Sequence, residues 1–349
     1  MNISFISIAL ALFWTLATQA ATPSRDFTFF LFSDIHIGAE NLKANPPVTR
    51  EQTLAKLKTN LETMRGLVGQ PCPQAKLGAV ALPRGLFILG DLTDGHKEPA
   101  RQQEQWRTFE ALFPVTGFLL GGQAVPVFAI AGNHDGPVAE PQRQGLLARN
   151  RLLARNFSAV SSNGVHYALN WEGVHFLFLN LCAADAPDAE TPFKFGKPGI
   201  GGWNDPQGAF TFLKDYLVRQ VGKSGEPVII LQHYGFDDFS LNDWNWWTPR
   251  QRRTLYELIK DYNVVAFLHG HDHHPAHYRW PDPKQHAADL NAFYGGKPPA
   301  KPRQYDVLSC GQICWVVRIR GNQFNAAHRN DRGWDQDCFI KSLAPRATP

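Results

Sequence analysis

At 349 residues, 44% of them hydrophobic, the chain has material for a substantial buried core in one large domain or two small ones. A net charge of +4, dispersed among interspersed acids and bases without a block of lysines or arginines, argues against a nucleic-acid polymer or an anionic membrane as the main partner. Five cysteines without a C-x-x-C pair argue against a cysteine-held metal.

In chain order the first feature is a nearly unbroken apolar run, Ile3 to Ala17, followed by Thr18-Gln19-Ala20. The small-x-small ending predicts a signal peptide over residues 1–20, cleaved after Ala20, although no charged residue precedes the run. The rival is an uncleaved N-terminal anchor. No later segment is apolar for long enough to span a bilayer. The mature chain, residues 21–349, is therefore expected outside the cytoplasm, secreted or periplasmic, with no stable membrane anchor and as a single domain. In that oxidising setting an odd cysteine count allows at most two internal bridges, and the pairing of Cys72, Cys182, Cys310, Cys314 and Cys338 stays open. Cys182 ends an apolar run and reads as a buried strand residue. Cys310 and Cys314 can meet only if the chain turns at Gly311.

From Asp26 to Leu268 short apolar strands alternate with helical stretches. Phe27 to Phe32 reads as a strand buried on both faces and runs into Asp34. Leu86 to Leu89 runs into Gly90-Asp91, Val125 to Ile130 into Gly132-Asn133, Val228 to Leu231 into His233, and Val264 to Leu268 into Gly270-His271. Helices are expected over Thr49 to Met64, Ala100 to Phe113, Gly208 to Val221 and Pro249 to Tyr262, the last opened by a proline behind a capping threonine. Tyr167 to Leu169 and Val174 to Leu181, joined by Asn170-Trp171-Glu172-Gly173, predict a hairpin. The cluster Arg149, Arg151 and Arg155 reads as a solvated helix face. Trp280 to Lys301, rich in Pro, Gly and Lys, reads as a long loop. Tyr305 to Ile319 and Gln323 to His328 are expected to be strands that complete a second sheet. Each polar block thus falls at the carboxyl end of a strand, where α/β sheets build their ligand crevices.

Those blocks are D-I-H at Asp34 and His36, G-D-L-T-D at Asp91 and Asp94, G-N-H-D at Asn133 and His134, Q-H-Y at His233, and G-H-D-H at His271 and His273. Singly, each is as easily a turn or a satisfied core histidine. In this order the set resembles the calcineurin-like metallophosphoesterase family at each signature position. The resemblance implies a four-layer αββα sandwich of two mixed β-sheets flanked by helices, with a dinuclear metal site at the strand ends. It implies Asp91 as the carboxylate bridging two metals, Asp34, His36 and His273 completing one, and Asn133, His233 and His271 completing the other. Imidazole plus carboxylate suits Mn, Fe, Zn or Co better than Mg. Such a pair acidifies a bridging water and clamps the transferring group, so that a metal-bridging hydroxide attacks phosphorus in line. By the same resemblance His134 faces the substrate as transition-state stabiliser or general acid, and Asp94 hydrogen-bonds that imidazole. Asp135 is expected to support the loop. His96, His166, His175, His269, His274, His277, His286 and His328 read as surface or packing residues, with contact to the site the alternative for His274.

The motifs exclude more substrates than they select. Purple acid phosphatases carry a tyrosine where this chain has Asp94, and protein serine/threonine phosphatases an arginine and glycine where it has Gly95-His96. What remains is the broad group of phosphodiesterases and phosphomonoesterases of similar motif spelling, within which a phosphatase of small or lipid-like organic phosphate monoesters is the preferred reading. The alternative is a phosphodiesterase of cyclic nucleotides or glycerophosphodiesters, and more remotely a metal-binding scaffold without turnover. Two stretches bear on specificity. Tyr234 to Phe239, followed by Trp244, Trp246 and Trp247, either borders the crevice or packs a long loop onto the body. Thr191 to Asp205 is the opposite rim or a mobile cover.

Overall fold

The computed structural model describes residues 24–74, 76–135, 141–180, 205–243, 249–312, 314–330 and 332–345. The signal-peptide segment, Cys182, the 191–204 stretch and Trp244, Trp246 and Trp247 lie outside them. In chain order the elements are β1 (Asp26–Phe32), α1 (Arg50–Arg65), the ribbon β2 (Pro71–Cys72) with β3 (Gly78–Ala79), β4 (Pro83–Leu89), α2 (Pro99–Leu112), the ribbon β5 (Phe118–Leu120) with β6 (Gln123–Val125), β7 (Val127–Ile130) and α3 (Pro141–Leu153). Then follow β8 (Ala159–Val160), β9 (Tyr167–Trp171), β10 (Val174–Phe178), α4 (Ala209–Tyr216), β11 (Val228–Leu231), α5 (Pro249–Ile259) and β12 (Val264–His269). The chain ends with β13 (Ala276–Trp280), α6 (Ala287–Phe293), β14 (Tyr305–Ser309), β15 (Cys314–Arg320), β16 (Gln323–Asn330) and β17 (Gly333–Ser342).

Two mixed sheets result, in the orders β17-β16-β15-β1-β4-β7 and β13-β14-β12-β11-β10-β9-β8. The parallel strands β1, β4 and β7 form one half of the first sheet, and β10, β11, β12 and β14 form the middle of the second. Side-chain alternation in β1 shows why the sheets stack. Phe27, Phe29 and Leu31 enter the core between the sheets with Phe87, Phe176 and Ile229, while Phe30 and Phe32 join α1 and α2 on the outer face. A third core packs α4, α5 and α6 on the far side of the second sheet. The architecture is therefore helix, sheet, sheet, helix. Each fully buried phenylalanine contributes roughly 1.5–3 kcal/mol to holding it.

Local chemistry fixes the helix ends. Thr49 caps α1 in a reciprocal box, its hydroxyl accepting from the Gln52 amide and the Gln52 side chain accepting from the Thr49 amide. Pro99 opens α2 and Pro249 opens α5. No helix among the described residues is long and apolar enough to cross a membrane.

Four expectations differ from what is observed. The stretch 280–301 is no continuous loop: α6 forms inside it, held because Asp289, buried at 2% exposure, takes both nitrogens of Arg252 at 2.7 Å and the Trp280 indole at 3.3 Å. The stretch 305–319 is two strands in two sheets. Gly311 (φ 56°) breaks it against the backbone of His273 to Pro275, where a Cβ would come within 3 Å of main-chain atoms. β14 thus completes the second sheet, and β15 to β17 complete the first. Third, α3 carries Arg149 inward: the guanidinium is 4% exposed and donates to the carbonyls of Phe113, Pro114 and Val127, although Arg151 and Arg155 are exposed. Burial lowers its pKa to about 10. Fourth, the hairpin strand β10 stops at Phe178. The turn at Gly311 exists, yet Cys310 and Cys314 are free buried thiols, as is Cys72, while Cys338 is free and exposed.

Candidate metal centre

All five blocks converge at the carboxyl ends of β1, β4, β7, β11 and β12, so the first sheet delivers Asp34, His36, Asp91 and Asn133 and the second delivers His233, His271 and His273. The backbone there is strained. Among the described residues eight non-glycines have positive φ, and five of them are Asp34 (55°), His36 (43°), Asp91 (49°), His271 (76°) and His273 (61°). Left-handed backbone at side chains other than glycine costs energy and persists only where the surroundings impose it, so its concentration at these blocks marks an assembled site. Glycines make the room. A Cβ on Gly90 would lie 2.3 Å from the His233 ring, and one on Gly132 would lie 2.2 Å from an Asp91 oxygen.

Asp91 sits at the centre with its two oxygens facing opposite ways. Oδ2 lies 3.5 Å from His36 Nε2, and Oδ1 lies 3.3 Å from His233 Nε2 and accepts the His134 amide at 2.9 Å. On the Oδ2 side, His36 Nε2 and His273 Nε2 converge to 3.0 Å, with Asp34 Oδ1 3.5 Å from the His273 nitrogen. On the Oδ1 side, His233 Nε2 is 3.0 Å from Asn133 Oδ1, and His271 packs against His233 at 5.1 Å between ring centroids. Ligand-type atoms of Asp34, His36, Asp91 and His273 form one cluster and those of Asp91, His233 and His271 a second, each within 4.8 Å, with Asp91 common to both. The donor sets fit two transition-metal ions: lone pairs of imidazole and carboxylate converge there with separations too short for like atoms to be left facing one another uncompensated.

Supporting contacts orient these groups. His233 Nδ1 donates to the Leu89 carbonyl at 2.8 Å, which leaves Nε2 as the free lone pair. Asp34 is held by the Ser33 hydroxyl at 2.5 Å and by the His271 amide, 3.0 Å from each of its oxygens. Asp135, buried and outside both clusters, accepts from the amides of Leu92, Thr93 and Gly132 and so ties the second block to the third, in the supporting position expected of it.

Charges follow from this crowding. Burial and the charges of Asp91 and Asp34 act oppositely on His233, and attraction wins, raising its pKa to about 9. His36 is likewise raised to about 9, because the Asp94 hydrogen bond and nearby carboxylates outweigh its burial. His271 is pushed down by burial and then by His233. Asp91, despite burial, is held well below the usual carboxylate range by His233, His134 and His36. Asp135 is pushed up by burial and by the Asp91 charge.

His134 stands beside the first cluster, its ring 4.5 Å from that of His36. Its Nδ1 donates to the Asp94 backbone carbonyl at 2.9 Å, whereas the Asp94 carboxylate lies 3.6 Å from that nitrogen and nearer His36 Nδ1, at 3.3 Å. Asp94 therefore acts on both imidazoles, and on His134 through its main chain first. His274 is exposed, with Nδ1 on the Asp272 carbonyl, and belongs to neither cluster. In the aromatic loop Tyr234 and Phe236 are buried, Phe236 stacking on Trp280 at 4.0 Å, so this part packs; Phe239 instead lies 5.0 Å from the His271 ring. Beside His134 and His273 opens a cleft of about 280 Å³ lined also by Thr53, Lys56 and Asn60 of α1 and by Gln312. None of these four stood out in the sequence. Positions 53, 56 and 60 share one helical face, a spacing that reads as an ordinary solvated surface until the fold turns it toward the site.

Residues 27–275 match the family model for calcineurin-like phosphoesterases. No curated protein matches the chain. Similar solved structures include GAP50, the anchor in the inner membrane complex of Plasmodium, with 13% identity, 93% of this chain and 90% of that one covered, and a TM-score of 0.47. They also include a predicted phosphoesterase from Streptococcus pneumoniae, with 9% identity, coverages of 91% and 98% and a TM-score of 0.35. A protein of Thermus thermophilus shows 11% identity, coverages of 91% and 99% and a TM-score of 0.40.

Proposed function

Because the chain belongs to the calcineurin-like phosphoesterase family and is a metal-dependent phosphoester hydrolase, we propose that it is an extracytoplasmic phosphatase of small or lipid-like organic phosphate monoesters. The observation that carries this reading is the central Asp91, one oxygen turned to each of two donor clusters, with His134 alongside. Asp34, His36 and His273 would hold one ion, Asn133, His233 and His271 the other, and Asp91 both. Two ions so held supply a water-derived nucleophile at neutral pH and positive charge for the phosphoryl oxygens.

The chain's own residues do the rest. His134 Nδ1 is committed to the Asp94 carbonyl, so the ring is fixed and its Nε2 is the atom that delivers a proton to the departing alkoxide. The Asp94 carboxylate, 3.6 Å from the same nitrogen, faces the ring on that side. The His134 amide, donating to Asp91, fixes the residue's distance from the centre.

Metal-loaded protein, residue 21 onward, assayed on p-nitrophenyl phosphate beside bis-p-nitrophenyl phosphate tests the reading. Faster hydrolysis of the monoester is expected. Faster hydrolysis of the diester overturns the monoesterase assignment in favour of a phosphodiesterase, and turnover of neither overturns both.

A further inference from the structure

Helix α1 presents two adjoining stripes. Leu57, Leu61 and Met64 are buried in the core, while Thr53, Lys56 and Asn60 border the cleft that ends at His134 and His273. Lys56 is exposed, is the one ammonium among the described residues that line that cleft, and makes no hydrogen bond or ion pair with any of them. The acids sharing the cleft are otherwise engaged: Asp34 by Ser33 and the His271 amide, Asp94 by the two imidazoles. A cation carried on a helix beside the candidate centre, without a partner among the described residues, is placed for a charge that arrives with the substrate.

Size narrows the substrate further. The cleft's volume of about 280 Å³ corresponds to roughly nine water molecules at about 30 Å³ each. That space holds a leaving group on the order of ten non-hydrogen atoms. We propose that this cleft is the leaving-group subsite and that Lys56 pairs with a second anionic group there, so that the substrate is a small phosphate monoester whose alcohol carries a carboxylate or another phosphate. Asn60, Thr53 and Gln312 supply hydrogen bonds to the polar remainder, and the Leu57 side chain an apolar floor. The proposal rests on the monoesterase reading and on the position of His134 at the leaving oxygen.

Phenyl phosphate and 4-carboxyphenyl phosphate form the test pair, because they differ by the carboxylate alone. The metal-loaded wild type is expected to favour the carboxylated ester by roughly two- to fivefold in kcat/KM, the range of one partly exposed ion pair. Lys56→Gln should bring that ratio near one, Lys56→Glu should invert it, and Lys56→Arg should keep it. A wild-type ratio near one, or a ratio unmoved by Lys56→Gln, overturns the proposal. Calorimetry with benzylphosphonate and 4-carboxybenzylphosphonate reads the same preference without turnover. Charge-selective binding that depends on Lys56, seen without hydrolysis of either ester, would sink the phosphatase reading and leave the subsite standing. Equal binding of both phosphonates would sink the subsite whatever the turnover.

Discussion

The two donor clusters around Asp91 are built from similar atoms and sit in different surroundings. The Asn133, His233 and His271 side is sealed, with His233 0% and His271 5% exposed. The Asp34, His36 and His273 side opens to the cleft, the His273 side chain being 44% exposed. Burial strengthens every electrostatic contact on the sealed side and removes the water through which an ion would leave. Under the proposed function the difference would divide the labour, the sealed side anchoring its ion and the open side meeting the substrate.

The largest expected effect comes from the residue both sides share. Asp91→Asn should empty both, so that metal content by mass spectrometry falls below one ion per chain and turnover is lost; two retained ions would refute its bridging place. Next, His134→Ala should leave the metal content at two and lower kcat by roughly 10²–10⁴, which steady-state kinetics on the loaded protein reads directly. A smaller effect separates the sides themselves. His273→Ala should speed removal of one ion by a chelator by roughly 10–100-fold, the scale of a weakened ligand environment, whereas the sealed side's ion should remain. Loss of both ions together would erase the contrast.

The smallest effect is the sign of a pH slope. In the metal-free protein His36 and His233 titrate near 9 against 6.5 when unfolded, so between those values the folded state binds more protons. Their stabilisation is full below pH 6.5 and is lost as pH rises through 9. Metal binding demands deprotonated imidazoles and gains over the same window. Melting of the metal-free protein should therefore fall from pH 6.5 to 9 while that of the loaded protein rises, and parallel slopes would contradict the assignment.

Which parts were legible follows from locality. The strands that end in the metal blocks carry mostly apolar runs, and the ligand types are printed beside them, so both the α/β frame and the clustered residues could be read directly. What escaped depends on distant partners. Helix α6 exists because Arg252 reaches Asp289. The inward turn of Arg149 depends on carbonyls of the loop after α2 and of β7. Strand β17 is read only against β16, because its own residues, a polar run Asp335-Gln336-Asp337 followed by Cys338-Phe339-Ile340, show no strand alternation. The positive φ angles at five ligand-type residues have no residue-level mark at all, because none of the five is a glycine.

One topological detail bears on how the molecule comes into being. The central strand of the first sheet, β1, lies between β4 and β15, its Asp26 opposite Arg320 near the other end of the chain. A chain made from its N-terminus exposes one edge of D-F-T-F-F-L-F until residues 314–320 have been synthesised, and an open apolar edge invites pairing with another copy. The second sheet, drawn wholly from residues 159–309, is complete before that. Safe assembly of this protein therefore depends on guarding β1 until β15 arrives.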